Sequence, residues 1–132
     1  MLSITTKSPY AVRALAELAR SGAGPVPIGE LAKRRDIPVQ FLEGLFATLR
    51  RAGILSSQRG VKGGYSFARP AGELTVLEVV EALEGALGGD AATQGEIWLE
   101  AIEAMRDRLA ALTIAEVAQR EARAAGAQMY YI

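Results

Sequence analysis

The chain contains no cysteine and no histidine. Disulfides are therefore impossible, and zinc, haem and iron–sulfur sites built on thiolate or imidazole ligands are excluded within it. The same two absences remove the catalytic triads and dyads that depend on His or Cys. Carboxylate pairs remain, but none stands in a context that suggests a pocket. The expectation is a protein that is not an enzyme and holds no metal and no cofactor. No apolar run approaches the ~20 residues that span a bilayer, and the opening MLSITTKSPY lacks a signal-peptide core. The expected location is the cytoplasm, with no membrane partner.

Net charge is absent as well, with 15 Lys and Arg against 15 Asp and Glu. That balance conceals a split. Residues 1–72 hold 11 cations and 4 acids, or +7, and residues 73–132 hold 4 cations and 11 acids, or −7. A basic half joined to an acidic half suggests that one half meets a polyanion and the other does not.

What the chain does contain is helical. Ser8-Pro9 suits a helix start, and Val12, Leu15, Ala16, Leu18 and Ala19 give that helix an apolar face. GAGPVP at 22–27 reads as a loop. A short second helix covers about Ile28–Arg35. Asp36-Ile37-Pro38 breaks it, since the residue before proline resists the helical region. A third helix runs from about Pro38 to Ala52, with Phe41, Leu42, Leu45, Phe46 and Leu49 recurring at helical spacing. Gln40, Glu43, Gly44, Ala47 and Arg51 line a different face that is small or polar. Two helices with a tight break, the second bearing such a face, make a helix-turn-helix; small Gly44 and Ala47 would let that helix lie close in a major groove. The plain alternative is the surface of an ordinary bundle.

The run RRAGILSSQRGVKGGYSF, from Arg50 to Phe67, is the most telling stretch. It reads as a helix end, a strand Ile54–Gln58, a basic glycine turn Arg59–Gly64 and a return strand Tyr65–Ala68. Gly60, Gly63 and Gly64 permit a tight turn and close backbone approach. Arg59 and Lys62 place positive charge at the tip, suited to phosphates or a narrow minor groove. A helix followed by such a hairpin is a winged helix; the alternative is a solvated loop with two cations.

After Arg69-Pro70-Ala71-Gly72 the character changes. Thr75–Glu78 is a capping box that opens a helix to about Glu84. GALGGDAATQG at 85–95 reads as a flexible connection. In the next helix, about Glu96–Leu112, Trp98, Ile102, Met105, Leu109 and Leu112 are spaced as a coiled-coil seam. Two readings stand for it: a homodimer interface, or packing onto the chain's own first half. Thr113–Glu116 is a second capping box, opening a last helix to about Ala124. The expected class is mainly α with a small β wing, a winged helix-turn-helix plus a long dimerisation helix. Its parts are a DNA-binding domain at 1–72, a helical dimerisation region at 73–124 and a flexible C-terminal tail at 125–132.

TTKSPYAVRALAEL, PVPIGELAKRRDIPVQFLEGLFATLRRAGILSSQRGVKGGYSFARP and LTVLEVVEALEG together resemble the Rrf2 family of winged-helix transcription regulators. The resemblance covers residues 2–85 closely. EIWLEAIEAMRDRLAALTIAEVA and the terminal MYYI extend it to the branch of cysteine-metabolism repressors, the CymR branch. It implies a homodimeric repressor that binds double-stranded DNA at an inverted repeat. Carried over residue by residue, it makes Gln40, Phe41, Glu43 and Gly44 base-reading candidates, with Phe41 touching a thymine methyl or simply serving the core. Arg59, Gly60 and Val61 match the wing tip. Thr6 and Lys7 match a backbone-contacting segment, and Arg50 is a phosphate candidate. Pro38 stands where the family often has Ser, so one phosphate-binding hydroxyl is missing.

Family members that carry an iron–sulfur cluster hold it with cysteines between the fourth and fifth helices. Here that stretch is GALGGDAATQGE, without a ligand for iron. The signal must then arrive as a small metabolite or a protein partner. The CymR resemblance implies cysteine synthase (O-acetylserine thiol-lyase) as that partner, an enzyme whose active site also accepts an isoleucine-ended tail. Met129, Tyr130, Tyr131 and Ile132 offer an apolar tip and a terminal carboxylate for it; the alternative is that they pack on the chain's own helices. Two competing functions remain: an interaction module whose tail modulates cysteine synthase, and a family regulator of an iron, redox or nitric-oxide regulon.

Overall fold

The computed structural model describes residues 4–130, with side chains to Ala127. In chain order they form α1 (Lys7–Arg20), α2 (Ile28–Arg35), α3 (Val39–Arg51), β1 (Leu55–Gln58), β2 (Gly64–Phe67), a 3-10 turn (Ala71–Glu73), α4 (Val76–Glu84), α5 (Ala91–Gln94), α6 (Glu96–Ala110) and α7 (Ile114–Tyr130). The class is mainly α with a two-stranded antiparallel wing. Among the described residues no helix is long and apolar enough to cross a membrane.

One core is shared by the first and last parts of the chain. Leu15 and Leu18 of α1, Leu31 of α2 and Leu42, Phe46 and Leu49 of α3 meet Leu74, Val79 and Ile114 in a single buried cluster. Phe46 is wholly buried, which is worth roughly 1.5–3 kcal/mol of transfer free energy. Its ring meets Tyr65 of the wing edge-on, with centroids 5.1 Å apart. The wing is thus anchored to α3 rather than hung from its end.

The break between α2 and α3 has a defined geometry. Asp36 adopts a left-handed conformation with φ 54°, and its N–H returns to the carbonyls of Ala32 and Lys33. Ile37 donates to Ala32 O at 2.9 Å and is itself buried. Pro38 then caps α3 and accepts from Leu42. At the other end of α3, Gly53 sits at φ 80° and Ile54 donates to Leu49 O at 3.0 Å. This glycine-terminated closure turns the chain sharply into β1.

The strands are in register at Leu55↔Phe67, Ser56↔Ser66, Ser57↔Tyr65 and Gln58↔Gly64. β1 starts one residue after the expected Ile54, and β2 runs one residue earlier than the expected Tyr65–Ala68, although Ala68 still donates to Ile54 O. Val26 pairs with Tyr65 through two bonds of 2.9 and 2.8 Å, so the α1–α2 loop forms a third rung beside the wing. A side chain at Gly64, which has φ 146°, would strike the Val26 backbone, and this close approach requires glycine.

Three expectations for the second half are corrected. The 85–95 connection is not loose: it contains α5, Leu87 and Ala91 are buried, and Leu87 N–H donates to Glu81 at 3.1 Å. Its glycine content suggested a coil, but Gly88 is small so that Ile102 of α6 can sit against it. The last helix does not stop at Ala124 to leave a flexible tail; α7 continues to Tyr130. The run Ala124-Ala125-Gly126-Ala127 is rich in the strongest helix former, and one glycine costs only about 1 kcal/mol. The seam of α6 is not one stripe. Ile102 is buried, Leu109 and Leu112 pack against the chain's own core, while Trp98 and Met105 stay exposed. Leu112 cannot follow the helical seam because α6 ends at Ala110.

Candidate nucleic-acid interface

The side of α3 turned away from the core carries Gln40, Glu43 and Gly44, all exposed. Space is open around Gly44, with no atom beyond its neighbours and the helix's own backbone within 4 Å of where a Cβ would stand. A groove-filling surface can therefore approach the α3 backbone. Glu43 can accept from a cytosine amino group, and Gln40 can pair with adenine. Phe41 points elsewhere: it is half-buried and meets Tyr10 edge-on, with centroids 5.5 Å apart. The packing reading of Phe41 therefore has direct support in its contacts. Val39 was not singled out by sequence reasoning, yet it is 42 % exposed at the first position of α3. Its position next to the proline break was the available signal.

Beside this face lies a hollow of about 320 Å³ lined by Lys7, Gln40, Phe41, Gly44, Leu45, Thr48 and Leu83. It brings the N-terminal candidate Lys7 to the same side as Gln40 and Gly44. Thr6 is exposed and immediately precedes α1. Leu83 enters from α4, a contribution that sequence spacing gave no reason to expect.

At the wing, Gly63 N–H closes a turn on Gly60 O at 3.0 Å, leaving Val61 and Lys62 at its centre. Val61 is fully exposed, an unusual place for an apolar side chain on an isolated protomer. Arg59 stands just before it. Ser56 and Ser66 hydroxyls bond across the hairpin at 3.1 Å.

The cations of the basic half divide by location. Arg34 pairs with Glu17 and Glu30, Arg35 with Glu17 and Glu121, Arg20 with Glu121 and Arg69 with Glu78. Among the described residues Lys7, Arg13, Lys33, Arg50, Arg51, Arg59 and Lys62 form no salt bridge, Lys7 acts on Glu84 only through its charge, and Arg51 bonds the Thr48 hydroxyl. Five of these seven stand at the start of α1, the end of α3 and the wing, while Lys33 lies on α2 and Arg13 within α1, where it bonds Arg35 O. Positive groups left without internal acids are the ones free to displace counterions from a phosphate backbone.

The paired group forms a network behind the helix-turn-helix. Arg35 gives Glu121 two bonds of 3.0 and 2.6 Å and Glu17 one of 2.8 Å. The Glu121 bond raises the Arg35 guanidinium above its ordinary value against the opposing effect of burial, with Glu17 adding to the rise. The same bond holds the Glu121 carboxyl below the usual carboxylate range. Arg13 donates to Arg35 O at 2.8 Å and lies over the Tyr10 ring. Thus α7 is fastened to the end of α2, next to the turn that aims α3.

On α6, Ile97, Trp98 and Met105 are exposed by 70, 51 and 37 %. Of the proposed tail, Met129 and Tyr130 fall within α7, but their side chains, and all of Tyr131 and Ile132, lie outside the described residues.

The family profile described as "Rrf2: Iron-dependent Transcriptional regulator" matches residues 4–120. The HTH-type transcriptional regulator IscR of Xenorhabdus nematophila is 33 % identical over 91 % of this chain and 81 % of its own length. The solved structure of T. potens IscR superposes with a TM-score of 0.79 at 33 % identity, covering 91 % of this chain and 88 % of that one. That of CymR, the global cysteine regulator of B. subtilis, also gives 0.79, at 29 % identity over 91 % and 98 %. These relatives are transcription regulators, not enzymes.

An iron–sulfur cluster, which the resemblance attaches to some members, does not fit here. The ligands must be thiolates or imidazoles, and the chain has neither. In the connection between α4 and α6, buried Leu87 and Ala91 occupy the interior, and Glu81 is taken up by Arg106 and Leu87 N–H. No cluster of acids there is placed to hold a metal among the described residues.

Proposed function

The chain belongs to the Rrf2 family of DNA-binding transcriptional regulators, and from that premise we propose that it is a homodimeric repressor of cysteine or sulfur-metabolism genes that works without an iron–sulfur cluster. The observation that carries the reading is the α3–wing face, where Arg50, Arg51, Arg59 and Lys62 form no salt bridge among the described residues and Gln40, Glu43 and Gly44 are exposed. In this reading α3 enters a major groove, with Gln40 and Glu43 reading base edges and Gly44 allowing close approach. Arg59, Gly60 and Val61 enter the flanking minor groove, while Thr6, Lys7 and Arg50 meet phosphates. Phe41 holds α3 against Tyr10.

Exposed Ile97, Trp98 and Met105 support α6 as the face that joins two copies. A two-fold dimer addresses an inverted repeat with half-sites about 10 bp, or a multiple of it, apart. The similarity to CymR over 98 % of that chain supports a cysteine or sulfur regulon. With no cluster ligands, the signal comes through a partner, and the Met129–Ile132 end is assigned to cysteine synthase. A second reading keeps the DNA-binding function but places it in iron or redox control, and the likeness to the IscR proteins favours it.

Selection of genomic fragments by the purified protein, alone and with its host's cysteine synthase, tests the proposal. Enrichment of one inverted repeat upstream of sulfur-assimilation genes is the expected result. Enrichment upstream of iron-handling genes would transfer the protein to the second reading, and no enrichment in either condition would reject both.

A further inference from the structure

Thr6 makes no capping side-chain bond at the start of α1, and the Thr5 hydroxyl accepts the Lys7 N–H at 3.3 Å. A carboxylate from the far end of α4 braces the same segment. One oxygen of Glu84 accepts the Thr5 N–H at 2.6 Å, and the other accepts the Ser8 hydroxyl. Ser8 is only 2 % exposed, so one side of this clamp is shielded from water, where a hydrogen bond is electrostatically stronger. A negative charge also suits the N-terminus of a helix. Partial burial acts to raise the Glu84 carboxyl, but the bonds from Ser8 and Thr5 and the charge of Lys7 hold it below the usual range. It is therefore ionised at neutral pH.

The two anchor points, Thr5 and Ser8, bracket Thr6 and Lys7. Lys7 lines the hollow it shares with Gln40, Gly44 and Thr48, and Leu83, the neighbour of Glu84, lines it too. The last turn of α4 thus fixes both the wall of that hollow and the segment that carries its cation. Lys7 forms no salt bridge among the described residues, although its charge acts on Glu84. The two bonds span 79 and 76 positions of the chain, so they join the start of α1 to a distant element.

We propose that Glu84 is a positioning residue for DNA binding: it clamps Thr5 and Ser8 so that Lys7 is presented to a phosphate beside the α3 face. This rests on the DNA-binding reading above. The test is a double-mutant cycle of Glu84→Gln and Lys7→Ala, with affinity for the selected operator fragment measured across salt concentration. Lys7→Ala alone weakens binding about fivefold and lowers the salt slope by about one. Glu84→Gln gives a comparable loss of affinity and slope, and adding Lys7→Ala to it changes little more. Multiplying effects, with the full slope kept in Glu84→Gln, would overturn the proposal. So would a Lys7→Ala protein that binds like the wild type. Melting temperature reports whether Glu84→Gln folds. If it does not, the cycle is run with Ser8→Ala, which removes one of the two bonds and leaves a residue suited to a helix. Failure of the DNA-binding reading shows separately, as a wild-type protein that selects no operator.

Discussion

Behind the helix-turn-helix, where α1, α2 and α7 meet, Arg34 and Arg35 are matched by Glu17, Glu30 and Glu121, and the charges are spent on holding the chain together. On the α3–wing face Arg50, Arg51, Arg59 and Lys62 form no salt bridge among the described residues. Both regions belong to the same basic stretch of sequence, and counting charge cannot tell them apart. The difference teaches that a +7 half is not a uniformly available surface. Part of its charge is neutralised by acids from the acidic half, through Glu121 and Glu78. Much of what remains lies at the end of α3 and on the wing, with Lys33 on α2 and Arg13 on α1 outside that face.

Substitutions can break either side of this comparison, and the largest effect is expected at the base of the wing. Gly64→Ala forces a side chain into the Val26 backbone at a φ of 146°. It should lower stability by about 3 kcal/mol, read by denaturant unfolding, and should take DNA binding with it. Arg59→Ala should separate the two properties. Loss of a base-reading arginine costs about 1–3 kcal/mol of DNA affinity, measured by fluorescence anisotropy, with unfolding unchanged because Arg59 has no hydrogen-bond or ionic partner among the described residues.

Glu121→Ala should do the reverse. It removes both bonds to a partly buried Arg35, leaving Glu17 as that guanidinium's remaining carboxylate partner. A loss of about 2 kcal/mol of stability is expected at neutral pH, with the salt slope of DNA binding unchanged. The pH dependence has a fixed sign. The Glu121 carboxyl is held below its ordinary value in the folded protein. Its contribution is therefore present above the unfolded carboxylate pKa of about 4.3 and is lost as pH falls through the lower folded value. The wild-type and Glu121→Ala unfolding curves should converge in acid. Thr75→Ala is expected to be the smallest effect. It removes the side-chain cap that accepts Glu78 N–H at 3.1 Å, costs about 1 kcal/mol of stability, and should leave DNA affinity alone.

The recognition helix and wing were legible in the sequence because their signals are local. The apolar spacing of Leu42, Leu45, Phe46 and Leu49 fixes which side of α3 is buried, and that leaves Gln40, Glu43 and Gly44 outside. The Asp36-Ile37-Pro38 break likewise follows from backbone sterics alone. What failed to be legible depends on tertiary partners. Trp98, Ile102, Met105, Leu109 and Leu112 have the spacing of one seam, but spacing does not say that Ile102 meets Gly88 or that Leu109 meets the core. The glycines at 85–95 signalled flexibility where one of them serves close packing. The Glu84 clamp and the Arg35–Glu121 pair join residues so far apart in the chain that no motif announces them.

Salt dependence shows whether the cations of the α3–wing face that form no salt bridge are the ones that meet DNA. Operator affinity is measured from low to physiological salt for the wild type, Lys62→Ala and Arg34→Ala. The account predicts a slope about one unit shallower for Lys62→Ala, from a charge that faces outward. It predicts no change for Arg34→Ala, whose charge is already matched by Glu17 and Glu30. Equal changes in the two variants, or a loss confined to Arg34→Ala, would contradict it.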